Sequence, residues 1–269
     1  MDVVVTKHHG LGNDFLVLDL AQCAQVPSDW ASIAQAWCDR RRGIGADGLL
    51  LLQRLDSHRL TMQLVNSDGS TAEMSGNGIR CLVQAADRAN SNVGGTYMVS
   101  TDAGERTVEV LDRNDPTTAM FSVDMGVVSP LDEPAAWHLL GCHPDRPVRH
   151  LSLGNPHSVV GVDDVGDVDL GTLGALVPEV NLEIVAPGPE PDAITMRVHE
   201  RGAGITEACG TGACAAATAA LSWGLVPSSS AEVLVHMDGG DARVRVDTAA
   251  GTATLIGPAT FVASISVQM

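Results

Sequence analysis

Two stretches decide how this chain folds: Glu73-Met74-Ser75-Gly76-Asn77-Gly78 and Glu207-Ala208-Cys209-Gly210-Thr211-Gly212. Both read Glu-x-(Ser/Cys)-Gly-(Asn/Thr)-Gly. Each opens an apolar pattern of helical spacing, Gly78–Ala89 and the Ala-rich Gly212–Trp223, with Cys81 or Cys214 in its first turns. They are 209 − 75 = 134 residues apart, half of the 269-residue chain. An echo at that distance, before a helix both times, predicts two related halves, each presenting a Ser or Cys at a helix N-terminus. Such a terminus offers unpaired N–H donors and a partial positive charge, which favour carboxylates and other anions. The flanking glycines let a ligand reach the backbone. The same field draws a thiol from ~8.5 toward neutrality, so Cys209 is a candidate base or nucleophile. Ser75 serves equally well as a plain N-cap, whereas cysteine is a chemically poor cap.

Working outward, short β-like runs recur: Val3–Thr6, Phe15–Asp19, Leu49–Leu52, Leu60–Val65, Val108–Leu111, Ala119–Val123, Ser158–Val162, Leu182–Val185, Ile194–Val198, Val233–His236, Ala242–Val246 and Phe261–Val267. Trp30, Ile33, Ala34 and Trp37 predict one more helix. Helices are too few for strict βαβ alternation, so the fold class is α/β of the α+β kind, with mixed sheets wrapped around isolated helices. Gly126–Pro147, with four prolines, reads as a connecting loop between halves, and Pro187–Pro191 as a second, shorter loop.

Lys plus Arg is 16 against 33 Asp plus Glu, a net charge of −17, which argues against a nucleic-acid partner. No apolar run approaches ~18 residues, so no membrane span is expected. The N-terminus lacks the features of a signal peptide, and a cytoplasmic protein is expected. None of the six cysteines forms a C-x-x-C pair, so reduced thiols are expected. His138, His143, His150 and His157 lack metal-ligand spacing, and no metal is expected. Gly43–Gly48 precedes a strand rather than following one, so it fails as a dinucleotide loop. The sole lysine, Lys7, stands without a phosphate loop, so no pyridoxal-phosphate cofactor is expected.

The remaining motifs are loops: His9-Gly10-Leu11-Gly12-Asn13-Asp14-Phe15, Asn66-Ser67-Asp68-Gly69-Ser70, Gly154-Asn155-Pro156-His157 and His199-Glu200-Arg201-Gly202. Singly, each is an ordinary turn or surface ion pair. Together they form loops rich in Asn and Gly with one Arg, suited to hydrogen-bonding a polar zwitterion. With Arg41–Gly48, Asn66–Cys81, Asn181-Leu182-Glu183 and Glu200–Ala213, these blocks resemble the diaminopimelate epimerase family, in the family's order and across most of the chain.

The resemblance implies two pseudo-symmetric domains, residues 1–117 with the strand 257–269 returning to them, and residues 118–256. Each is a mixed sheet around a central helix, with the active site in the cleft between them. It implies cofactor-independent interconversion of LL- and meso-2,6-diaminopimelate by two groups on opposite faces of the α-carbon. Cys209 matches one catalytic cysteine. Asn13, Asn66, Gly76, Asn77, Asn155, Asn181, Glu200, Arg201, Gly210 and Thr211 match substrate-contacting positions, and His157 is similar to an active-site histidine. Arg201 and the asparagines would hold the distal amino-acid end.

One departure stands out. The family's other catalytic cysteine aligns with Ser75, and Cys81 should lie about two turns further down the helix. An engineered substitution, a natural serine variant and a relative of altered activity all remain open. So do two rival readings: another isomerase of this fold, hydroxyproline epimerase-like or phenazine-biosynthesis-like, and an amino-acid binder that turns over poorly. The expected partners are a small-molecule substrate and a second copy of the chain.

Overall fold

The computed structural model describes residues 2–113 and 115–268. Met1 and Met269, the chain-end residues of the expected domains, and Asn114 lie outside the described residues. The chain divides into two compact units, Met1–Val123 with Gly257–Met269, and Asp124–Ile256. Along the first lie β1 (Asp2–Gly10), β2 (Asn13–Asp19), α1 (Trp30–Cys38), β3 (Gly48–Arg54), β4 (Arg59–Asn66), β5 (Thr71–Ala72), α2 (Gly76–Ala89), β6 (Gly95–Thr101), β7 (Gly104–Arg113) and the start of β8 (Thr118–Val127). The second continues through β9 (Ser129–Pro130), β10 (Val148–Ser152), β11 (Pro156–Gly161), α3 (Leu170–Leu176), β12 (Asn181–Pro187) and β13 (Ala193–Glu200). It ends with β14 (Gly204–Thr206), α4 (Gly210–Trp223), β15 (Val233–Met237), β16 (Gly240–Asp247) and the start of β17 (Thr252–Gln268).

In the first unit β1 pairs antiparallel with β2, β2 runs parallel to β3, and β3 turns back on β4. The order continues through β6, β7 and β8. β8 also pairs with β17, and β17 with β1, which closes a barrel. α2 fills it: Ile79, Cys81, Leu82, Val83 and Ala86 are fully buried, against β1, β2, β3, β4 and β7. The second unit repeats the frame. β10 pairs antiparallel with β11, β11 parallel with β12, β12 antiparallel with β13, and β13 parallel with β15, followed by β16 and β17. Its central helix is α4, whose run Ala213–Ala217 is fully buried. Methyl-sized side chains let the surrounding strands approach the helix closely, and alanine has the best helix propensity. The mixed α/β architecture of strands wrapped around isolated helices is thus the one expected.

Three details differ from the sequence reading. The first unit ends at Val123 rather than at residue 117, because β8 pairs with β7 from Arg113↔Ala119 through Val108↔Val123. The stretch Gly126–Pro147 is not one loop. It holds the end of β8, β9 and a 3-10 turn, Trp137–Leu140, that brings Trp137 into one core cluster with Val160, Leu182 and Ile184. β5, β6, β9, β10 and β14, and the helix α3, are further elements. β6 and β10 mix polar with apolar residues, so their alternation is weak, and pairing with β4 and β11 holds them in place.

Candidate active site

In the first unit, Ser75 has extended backbone (φ −139°, ψ 121°) and its Oγ accepts the Gly78 N–H at 3.0 Å, which makes it the N-cap of α2. The side chains around this helix start are tied together. Asn77 Nδ2 donates to Asn13 Oδ1 at 3.1 Å, and Asn13 Nδ2 donates to Asp47 Oδ2 at 2.7 Å. Arg80, fully buried one turn down α2, donates to Asn77 Oδ1, to the Gly76 carbonyl and to the Pro258 carbonyl. Asn13 follows a two-residue hairpin turn in which Leu11 and Gly12 both have positive φ, 55° and 85°. A buried Asp14 next to it binds Lys7 at 2.8 Å and Arg40 at 2.7 Å, and Arg40 also reaches Asp47. Burial alone would raise the Asp14 carboxyl, but hydrogen bonds from Arg40 and Lys7 outweigh it and hold it below the usual carboxylate range. Asn66, at the end of β4 opposite Gly48, donates to Ser70 Oγ across its turn.

In the second unit, Cys209 occupies the same station. Its backbone is extended (φ −127°, ψ 115°) and its Sγ accepts the Gly212 N–H at 3.3 Å, so cysteine does cap this helix. Thr211 Oγ1 lies 3.5 Å from the sulfur, and Asn155 Nδ2 donates to Thr211 Oγ1 at 3.2 Å. Asn155 Oδ1 is 3.0 Å from His157 Nε2, and His157 Nδ1 is 2.6 Å from Glu183 Oε1. Asn181 holds the adjoining loop: its Nδ2 donates to the Pro156 carbonyl, and its Oδ1 accepts the Arg201 N–H. Glu200 accepts from the Thr206 hydroxyl. The Arg201 side chain is exposed and makes no hydrogen bond or ion pair among the described residues.

The expected site residues therefore fall into two sets. Asn13, Asn66, Ser75, Gly76 and Asn77 surround the start of α2. Asn155, His157, Asn181, Glu200, Arg201, Cys209, Gly210 and Thr211 surround the start of α4. Asp47, Arg40, Arg80 and Glu183 fix these side chains and carried no role in the sequence reading. For Glu183 a signal was present: a carboxylate inside Asn-Leu-Glu-Ile-Val-Ala, a strand buried on both faces, needs a partner.

One expectation is reversed. The helix terminus was expected to lower the Cys209 thiol. Burial, followed by the charges of Glu200 and Glu183, instead pushes it well above the ordinary value, against the pull of Thr211 and the Gly212 N–H. Cys209 therefore rests as the thiol. Burial also raises Glu183, with His157 opposing. Cys81 is fully buried in the barrel and pushed up to about 12, so it is no ready substitute for Ser75.

A family model described as diaminopimelate epimerase matches residues 5–130 and 150–262. The chain is 37% identical over 284 residues to the diaminopimelate epimerase of Microcystis aeruginosa, with 96% of each covered. It is 34% identical over 265 residues to that of Halothermothrix orenii, with 91% of each covered. Among solved structures it resembles a phenazine biosynthesis protein of the PhzF family from Bacillus anthracis, with a TM-score of 0.76, 12% identity and 100% of both chains covered. It also resembles a hydroxyproline epimerase from Agrobacterium vitis, with a TM-score of 0.70, 16% identity, and 99% of this chain and 91% of that one covered. Fold and relatives define an enzyme of the isomerase class. More narrowly, the chain belongs to the diaminopimelate epimerase family.

Proposed function

We propose that the chain interconverts LL- and meso-2,6-diaminopimelate without a cofactor, by proton transfer between two side chains on opposite faces of one α-carbon, in the supply of lysine and peptidoglycan precursors. The observation that most supports this reading is the repeated helix start, with Ser75 and Cys209 capping α2 and α4 through the same backbone and the same bond to the third helical N–H. The backbone N–H groups of Gly76, Asn77, Gly210 and Thr211, at the first turns of α2 and α4, are the natural seat of the reacting carboxylate, and they stabilise the charge that grows on it as the α-proton leaves. Arg201, with the asparagines, takes the distal amino-acid end.

The resting thiol fits this chemistry if substrate itself unlocks it. A substrate ammonium beside Glu200 offsets the negative charge that, with burial, holds Cys209 protonated. In the direction that uses Cys209 as base, the thiol first gives up its proton to solvent; the Cα–H bond then breaks, its proton passes to the thiolate, and the Ser75 hydroxyl delivers a proton to the other face and is reprotonated from solvent. The reverse direction needs a serine alkoxide. Each pKa unit of misplaced base strength costs ~1.4 kcal/mol, so that direction is slow by powers of ten. Incubating LL- and meso-diaminopimelate separately in deuterated water tests this, with α-proton exchange and epimerisation followed independently. One isomer should exchange quickly while net epimerisation lags. Absence of exchange from both isomers would overturn the proposal.

A further inference from the structure

Glu183 lies in β12 with no solvent exposure. Its Oε1 is 2.6 Å from His157 Nδ1, and its Oε2 has no hydrogen-bond partner among the described residues. A Cβ at Gly212 would come within 2.7 Å of Oε1, so the third residue of α4 must be glycine for the carboxyl to lie against the helix start.

The hydrogen bonds leading away from this carboxyl have fixed directions. Asn155 Oδ1 can only accept, so His157 Nε2, 3.0 Å away, carries a proton. Asn155 Nδ2 then donates to Thr211 Oγ1. The Thr211 hydroxyl, accepting there, has its own hydrogen free for the Cys209 sulfur 3.5 Å away. With the ring proton on Nε2, Nδ1 is an acceptor and the Glu183 carboxyl donates to it. We infer that Glu183 is a positioning residue: by donating to His157 Nδ1 it fixes the direction of every hydrogen bond from the imidazole to the Cys209 sulfur. Its bearing on turnover rests on the function proposed above.

Without the carboxyl, the ring proton can move to Nδ1 and Nε2 becomes an acceptor. The Asn155 amide then turns over, and the Thr211 hydroxyl swings from sulfur to amide oxygen. Burial raises the Glu183 carboxyl, with His157 of β11 opposing, which favours the protonated form that this bond needs; the charge of Glu200 of β13 raises the Cys209 thiol.

The test uses the full chain with Glu183→Gln and Glu183→Leu. Imidazole 15N spectra report the His157 tautomer, assigned by its loss in His157→Gln. Iodoacetamide alkylation at pH 8, read on the Cys209 peptide by mass, reports thiolate. Glu183→Gln can still donate to Nδ1, so His157 should keep its Nε2 proton and Cys209 alkylation should stay within about twofold of the wild type. Glu183→Leu should give the Nδ1–H signature and lower kcat about a hundredfold, with KM changed less than about threefold. Cys209 alkylation should fall severalfold in Glu183→Leu, because the Thr211 hydroxyl leaves the sulfur; if that variant does not fold, His157→Phe with Glu183→Leu replaces the buried pair by apolar groups, and alkylation should fall there too. An unchanged His157 tautomer in Glu183→Leu, or unchanged alkylation in every folded variant, would overturn the inference. If the chain exchanges no α-proton of diaminopimelate, the proposed function falls, and the tautomer and alkylation results still decide the role of Glu183.

Discussion

The two helix starts share a frame and carry opposite fields. Both frames pair a strand in parallel with the next, Phe15↔Gly48 in the first unit and His157↔Asn181 in the second. Two residues further along, Val17 pairs with Leu50 and Val159 with Glu183. Leu50 therefore occupies in the first unit the place of Glu183 in the second, and each lies against the third residue of its helix, Gly78 or Gly212. One turn into the helix the roles invert: the first unit has a buried Arg80, the second Cys214, 214 − 80 = 134 residues later. A guanidinium thus underlies Ser75, and a carboxyl underlies Cys209. The field that would favour an anionic base surrounds a hydroxyl that barely ionises, and the thiol sits where the anion is disfavoured. Duplication supplied the frame, and a few buried substitutions set the polarity of each copy.

The largest effects should come from the two capping residues. Cys209→Ala should lower both α-proton exchange and epimerisation by about 10³-fold or more, since it removes a group that acts in both directions. Undiminished turnover would break the comparison at its root. Ser75→Cys places a thiol above Arg80 and should raise epimerisation by about 10²-fold or more, because thiolate then becomes available on both faces. That new thiol should also alkylate faster than Cys209 at pH 8. A slower reaction would show that the two fields are not opposite, and unchanged turnover would place the partner base elsewhere. A smaller effect is expected at Arg201, which keeps its backbone bond to Asn181 whatever its side chain. Arg201→Lys should raise KM about tenfold, some 1.4 kcal/mol, by losing the bidentate fork while kcat changes little. Unchanged KM would remove Arg201 as the distal clamp.

Much of this frame was legible because it is written locally. The Gly-flanked caps, the stripe of α1, the Ala run of α4 and the alternating strands each declare themselves within about a dozen residues. Polarity was not legible, since it depends on pairings between distant segments. His157 meets Glu183 only because β11 and β12 run parallel in one register, and Arg80 meets the Pro258 carbonyl only because β17 returns to the first unit. The raised Cys209 thiol follows the same logic. A helix terminus can be read from sequence, but the desolvation that outweighs it comes from the strands packed around α4, and the two carboxyl groups come from β12 and β13.

The last contrast concerns stability. In the first unit Phe15 pairs with His8 on β1; in the second His157 pairs with Leu151 on β10. His8 is fully buried, with Nδ1 2.7 Å from Gln84 Oε1 on α2 and the Phe261 ring edge-on 5.4 Å away. Burial lowers it to about 4, against the pull of the Gln84 hydrogen bond. The folded state therefore binds this proton less readily than the unfolded chain, whose histidine titrates near 6.5. The sign follows: the neutral imidazole contributes full stability above about 6.5, and that contribution is lost as pH falls toward 4. Between pH 7 and pH 5 the loss from this one group should be about 2 kcal/mol. His8→Gln removes the titration but keeps a donor for Gln84, so its stability should fall less over the same interval. Denaturant unfolding at the two pH values measures the difference, and hydrogen exchange at the α2 amides, compared with those of α4, localises it to the first barrel. Equal losses in the wild type and His8→Gln would show that His8 is not the acid-sensitive group, and equal effects on α2 and α4 would deny that the asymmetry between the units extends to their cores.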